Sequence, residues 1–178
     1  MLCVTAAVAA GCARHPTPED QFRSTVAPFT TARDQTLSLV GAAKSRLGAL
    51  DLNTLTSSYT ALEEKGNAYA DFFAAVVTDS TFDDAKNERD AANLNAAIKS
   101  FNASFASIAP PGERNSRIDT GWSAQFAASV RGYWQQYQAT IRNLSPQDRA
   151  NVLKQLKAAT VWPNYEDVAA QAATPTPH

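Results

Sequence analysis

From Phe22 onward the apolar side chains return every three or four positions, the spacing of an amphipathic helix, in four successive stretches. The first carries Phe22, Val26 and Phe29, then Val40, Ala43, Leu47 and Leu50, with Gly48 as its stop. Pro28 lies inside that pattern, so this helix either begins near it or kinks there, because proline lacks a donor and crowds the preceding turn. The second stretch is the most regular. Leu52, Leu55, Tyr59, Leu62, Gly66, Tyr69, Phe73 and Val76 average close to the heptad spacing of about 3.5 and ask for a left-handed packing partner, as in a coiled coil. Asp51 or Asn53 caps its start, and Thr78-Asp79-Ser80 ends it.

Ser80 followed by Asp83 reads as a variant capping box opening a third helix, whose stripe is Ala91, Leu94, Ile98, Phe101, Phe105 and Ile108. Pro110-Pro111-Gly112 stops it. A fourth helix is expected from Asn115 or Ser116, presenting Ile118, Trp122, Phe126, Val130, Tyr133, Tyr137, Ile141 and Leu144. Its spacing is looser, about 3.7, so the apolar face drifts around the helix. Ser145-Pro146 supplies a cap and a first-turn proline for a shorter fifth helix with Val152, Leu153 and Leu156. Trp162-Pro163 breaks that helix, and a last weak turn at Tyr165 and Val168 is expected on the bundle end.

No stretch alternates with period two for more than a few residues, so essentially no strand is predicted. Four segments of about 27 residues, each about 40 Å long and joined by short links, predict an all-α fold: an antiparallel up-down-up-down four-helix bundle with a short fifth C-terminal helix. The bundle is expected over 22–172, with a flexible tether at 12–21 and a disordered Thr/Pro tail at 173–178.

Composition narrows the function more than it changes the fold. At 178 residues, 44% of them hydrophobic, the chain has enough material for one continuous core. Sixteen Lys and Arg against 17 Asp and Glu leave a formal charge of −1, which creates no field to gather phosphate backbones, so no nucleic-acid partner is expected. The mean hydropathy is −0.30 and no apolar run reaches the length of a membrane-spanning helix, so membrane attachment has to be peripheral or covalent.

The candidate chemistry is sparse. The only histidines are His15 and His178, near the two ends, and the only methionine is Met1, so haem, metal and His-based nucleophilic sites lose their usual ligands or base. No cofactor and no metal is expected. Carboxylate pairs remain as the one enzymatic route, and Asp71, beside the second stripe, is the residue to inspect, although a solvated position is the expected outcome. Asn102-Ala103-Ser104 has the pattern of a glycosylation acceptor but sits in mid-helix, which discounts it. Lys86 and Asp90 are spaced for an (i, i+4) pair on a solvated face.

At the N-terminus, Met1 to Gly11 is uncharged, small and apolar, and Cys12 is followed at once by a polar, Pro-containing stretch. Ala9-Ala10-Gly11-Cys12 resembles the bacterial lipobox, with Ala9 standing where the pattern usually has Leu and no Lys or Arg ahead of it. The resemblance implies that 1–11 is a lipoprotein signal peptide, that Cys12 is lipidated and becomes the first residue, and that the chain is anchored in the bacterial envelope facing the periplasm. Two or more acyl chains are what hold such a protein to a membrane. Ala13 lacks the Asp that the enterobacterial pattern uses for inner-membrane retention, which favours the outer membrane.

Two features bear on binding. Trp122, Tyr133, Trp134 and Tyr137 concentrate aromatic groups on the fourth helix, and are read as core with a binding surface as the alternative. Gly66 falls on a buried stripe, where glycine costs about 1 kcal/mol against alanine, so a ring from a neighbouring helix, Trp122 or Phe126, is expected to fill the gap. The expected role is a non-enzymatic envelope lipoprotein, an interaction or structural module with an envelope protein as partner. The alternative is a carrier of a small apolar ligand between the helices. A cavity of several hundred cubic ångströms lined by Tyr and Phe favours the carrier, and a close-packed core with an exposed apolar patch favours the module.

Overall fold

The computed structural model describes residues 18–79 and 81–171, which are helical or in connections between helices, with no strand among them. Six helices pack together: α1 (Pro18–Lys44), α2 (Ala49–Asp79), α3 (Asp84–Ile108), α4 (Ser123–Arg142), α5 (Pro146–Thr160) and α6 (Tyr165–Gln171). Cys12, the leader, most of the tether and the C-terminal tail lie outside the described residues.

The predicted stripes form the core. Leu55, Tyr59, Leu62, Tyr69, Leu94, Ile98, Phe101, Phe105 and Phe126 are all but inaccessible. Phe29 sits at the crossing point. Its ring lies 5.8 Å from Phe73, 6.1 Å from Tyr69, 5.8 Å from Phe126 and 5.9 Å from Trp162, so α1, α2, α4 and the α5–α6 connection meet on one side chain. α1 continues through Pro28, which is exposed, so the missing donor faces water instead of the core.

Four helix boundaries differ from the sequence expectation. α1 ends at Lys44, and Leu50 belongs to the first turn of α2, where it is 83% exposed. Asp51 therefore lies inside the first turn of α2 instead of capping it. α3 is capped by Asp83, whose carboxylate accepts from the Lys86 amide at 2.9 Å, while Ser80 lies outside the described residues. The largest difference is α4, which begins at Ser123. The preceding 109–122 segment is a turn followed by an irregular strap. Ile118 is fully buried there without being helical, because Asn102 of α3 takes both of its backbone groups. The Ile118 amide donates to Asn102 Oδ1 at 2.9 Å and Asn102 Nδ2 donates to the Ile118 carbonyl at 2.8 Å. A satisfied backbone has no need of a helix.

Neighbours in the fold run α1 on α4, α4 on α3, α3 on α2 and α2 on α5. α1 and α2 meet chiefly through long rings, and α5 and α6 pack against both. The C-terminal helices are therefore part of the body, not an addition at its end. Arg33 of α1 donates to the Ala159 carbonyl at 2.5 Å, Tyr59 of α2 to the Pro163 carbonyl at 2.5 Å, and Asn67 of α2 both donates to the Trp162 carbonyl at 3.1 Å and accepts from its amide at 2.9 Å. Gly66 does face a ring, but that of Trp162, instead of Trp122 or Phe126: a Cβ added at Gly66 would lie 2.6 Å from the indole.

Candidate functional site

An apolar cleft of about 520 Å³ lies between α1, α4 and α5. The first turns of α1 contribute Phe22, Arg23 and Val26, and the C-terminal half of α4 contributes Tyr133, Tyr137, Thr140 and Ile141. Leu144 follows, α5 adds Val152, Gln155, Leu156, Ala158 and Ala159, and Val77 from the end of α2 completes the lining.

Local sequence sets these walls. Positions 133, 137, 140 and 141 share one face of α4, and 152, 155, 156 and 159 share one face of α5. Only three residues separate the two helices, so both faces open onto the same space. Ser145 starts α5 sharply: its hydroxyl accepts from the Asp148 amide at 3.1 Å, with Pro146 in the first turn. Arg149 reaches back to the Ile141 carbonyl at 3.4 Å, and Arg33 holds the other end of α5 through Ala159. Phe22 packs edge-on against Tyr133 at 5.6 Å, and Tyr133 lies 4.9 Å from Tyr137, forming an aromatic wall. Among the lining residues Arg23 is the only charged one.

The four aromatic residues singled out on the fourth helix do not form one surface. Tyr133 and Tyr137 are together in the cleft, half-buried. Trp134 turns to the opposite side, where its ring stacks on Phe82 at 5.9 Å and carries the Arg142 guanidinium over its face; it is core. Trp122 precedes α4, donates from Nε1 to the Asp119 carbonyl at 2.8 Å, packs edge-on to Phe126 and borders a separate hollow with Pro28 and Thr31. The drift of the α4 stripe divides the aromatic residues in this way. Phe22, Val152 and the alanine pair Ala158-Ala159 are site residues that sequence reasoning placed in the core stripe or passed over. The small residues on α5 opposite two tyrosines are the one signal of open space.

Titratable groups lie elsewhere. Glu63 is half-buried near the α2–α6 contact, and desolvation, followed by the nearby Asp167 carboxylate, pushes its carboxyl above the usual range. Tyr59 and Tyr69 are held protonated to higher pH than usual, each mainly by burial and secondarily by a carboxylate, Glu63 and Asp90 respectively. Asp71 is exposed on α2 and lies outside the cleft. Among the described residues no group of three or more His, Cys, Asp or Glu is arranged to hold a metal, and no helix is long and apolar enough to cross a membrane. No family model, no curated protein and no solved structure matches this chain.

Proposed function

We propose that this protein is a lipid-anchored component of the bacterial envelope whose helical body, four long helices running alternately up and down with α5 and α6 set against them, binds a small apolar ligand in the α1–α4–α5 cleft. The cleft is the observation that carries the reading. Its volume, about 520 Å³, lies within the roughly 300–1,000 Å³ usual for small-molecule sites, and its lining is dominated by apolar and aromatic groups with a few polar ones. The module reading requires exposed apolar surface, whereas the large hydrophobic residues exposed among the described ones are Leu50 and Val161, singly placed on different elements. Anchoring rests on the resemblance of Ala9-Ala10-Gly11-Cys12 to a lipobox.

One specific feature keeps a partner protein as the second reading. The cleft is open along one side and bounded by helices, the geometry that admits an apolar helix face from another protein. Native mass spectrometry of the protein taken from envelopes in mild detergent separates these readings. The expected result is an acylated chain beginning at Cys12, with one small apolar molecule retained per chain. Acylation is expected to disappear in Cys12→Ser. A chain with its first eleven residues intact and no acyl group sinks the anchor. An empty cleft together with reproducible crosslinking of one envelope protein through Tyr133 or Tyr137 transfers the site to the partner reading.

A further inference from the structure

Arg23 is the one arginine among the residues lining the cleft, and it differs from three arginines that are held by carboxylates. Arg131 is paired with Asp84 and Glu88, Arg46 with Glu113, and Arg33 with Asp34 and two carbonyl groups. Arg23 has no ion-pair partner among the described residues, and it is exposed where it lines the apolar cleft. No carboxylate is among the described residues lining that cleft, so the lining itself offers no counter-charge to a cationic ligand. An apolar cleft whose described lining carries one charged side chain, a cation, matches a molecule with one hydrocarbon chain and one negative end.

We propose that the cleft binds a single-chain anionic amphiphile of the fatty-acid type, with its hydrocarbon chain between α1, α4 and α5 and its carboxylate on Arg23. This rests on the ligand-binding reading above and narrows it to one chemical class. The chain would lie along Phe22, Tyr137, Ile141, Val152 and Leu156, all apolar or aromatic. Burial of each further methylene should tighten binding by about fourfold as long as the trough has room. The guanidinium can meet both carboxylate oxygens with paired N–H donors, which an alcohol of the same length cannot reciprocate as an anion.

The test is calorimetric titration of the full chain carrying Cys12→Ser, so that no acyl group of its own can compete, with laurate, decanoate and dodecanol below their aggregation limits. Laurate is expected to saturate at one per chain and decanoate, two methylenes shorter, to bind about fifteenfold more weakly, following the methylene increment. Arg23→Gln should weaken laurate by about tenfold and leave dodecanol unchanged, since the lost contact is a charge-assisted hydrogen bond at an exposed position. Ala158→Trp, or Thr140→Phe on the opposite wall should the first variant unfold, is expected to block laurate and dodecanol alike. Equal laurate affinity in Arg23→Gln overturns the anionic assignment while dodecanol binding leaves the cleft reading standing. Binding indifferent to both wall substitutions, or no saturable binding of either ligand, overturns the two together.

Discussion

Gly66 is the position where a single missing atom has the largest structural consequence. The indole of Trp162 lies so close to α2 that a Cβ at Gly66 would approach three of its ring atoms within 2.6–2.7 Å. The ring has nowhere to retreat, because Trp162 is fully buried and Asn67 fixes both its backbone amide and its carbonyl. Alanine is intrinsically better than glycine inside a helix by about 1 kcal/mol, so an unobstructed Gly66→Ala would stabilise the protein. Overpacking costs about 1–3 kcal/mol, and with Trp162 held in place that penalty decides the sign. Gly66→Ala is therefore expected to lower the denaturant midpoint, and Gly66→Leu to lower it further. Removing the ring should reverse the effect: Gly66→Ala in a Trp162→Ala background, itself destabilised by about 3–5 kcal/mol, should be neutral or stabilising. A stabilising Gly66→Ala in the native background would mean that the indole yields. The glycine itself was visible in the sequence as an anomaly on a buried stripe. Its partner was not, because Trp162 belongs to a non-helical connection that no periodicity marks.

At the scale of elements, the strap 109–122 shows where helical spacing misleads. Ile118 and Trp122 continue the α4 stripe backwards at the proper interval, and their burial agrees with that extrapolation, yet the backbone there is not helical. What replaces the helical hydrogen bonds is the Asn102 side chain, clamping the amide and carbonyl of Ile118. A side-chain amide reaching across to another segment leaves no periodic trace. The Asn102-Ala103-Ser104 motif is thus a structural clamp seen through an unrelated pattern. Asn102→Ala leaves two part-buried backbone groups without partners, at about 1–3 kcal/mol for such a group. The expected outcome is a loss of global stability in that range together with faster amide exchange at Ile118 and its neighbours in the strap. Unchanged exchange at Ile118 would show that packing of its side chain alone holds the segment. The Ser145-Pro146 cap, by contrast, read directly and starts α5 as its chemistry requires, whereas Asp83, read as the capping-box partner of Ser80, is itself the cap of α3. The cleft was half legible, since Tyr133 and Tyr137 were singled out. The wall opposite them depends on how α5 is held by Arg33 and Arg149, long-range contacts to backbone carbonyls that spacing does not encode.

For the molecule as a whole, apolar periodicity accounts for the burial of the helices but leaves their mutual register underdetermined, since greasy stripes can slide by a turn at modest cost. A buried polar chain across three helices restricts that freedom. Tyr69 of α2 donates to Asn87 Oδ1 of α3 at 2.7 Å, and Asn87 Nδ2 donates to the Ala127 carbonyl of α4 at 2.9 Å, with both Tyr69 and Asn87 inaccessible to water. Asn87 lies four residues before Ala91, on the same face of α3 as the apolar stripe, and was passed over there because it is polar. Each bond contributes about 1 kcal/mol when formed, but breaking the chain from one end strands a buried group and costs about 1–3 kcal/mol. This asymmetry makes a double-mutant cycle decisive. Tyr69→Phe leaves Asn87 Oδ1 without a donor, and Asn87→Leu leaves the Tyr69 hydroxyl without a partner, while the Ala127 carbonyl keeps its helical bond inside α4. The pair together leaves no member of the chain orphaned. The double variant is accordingly expected to be more stable than the sum of the single losses by about 1 kcal/mol or more, and to unfold with a shallower denaturant dependence if register has become plural. Additive losses with an unchanged slope would mean that the aromatic cluster around Phe29, and not this chain, sets the alignment of α2, α3 and α4.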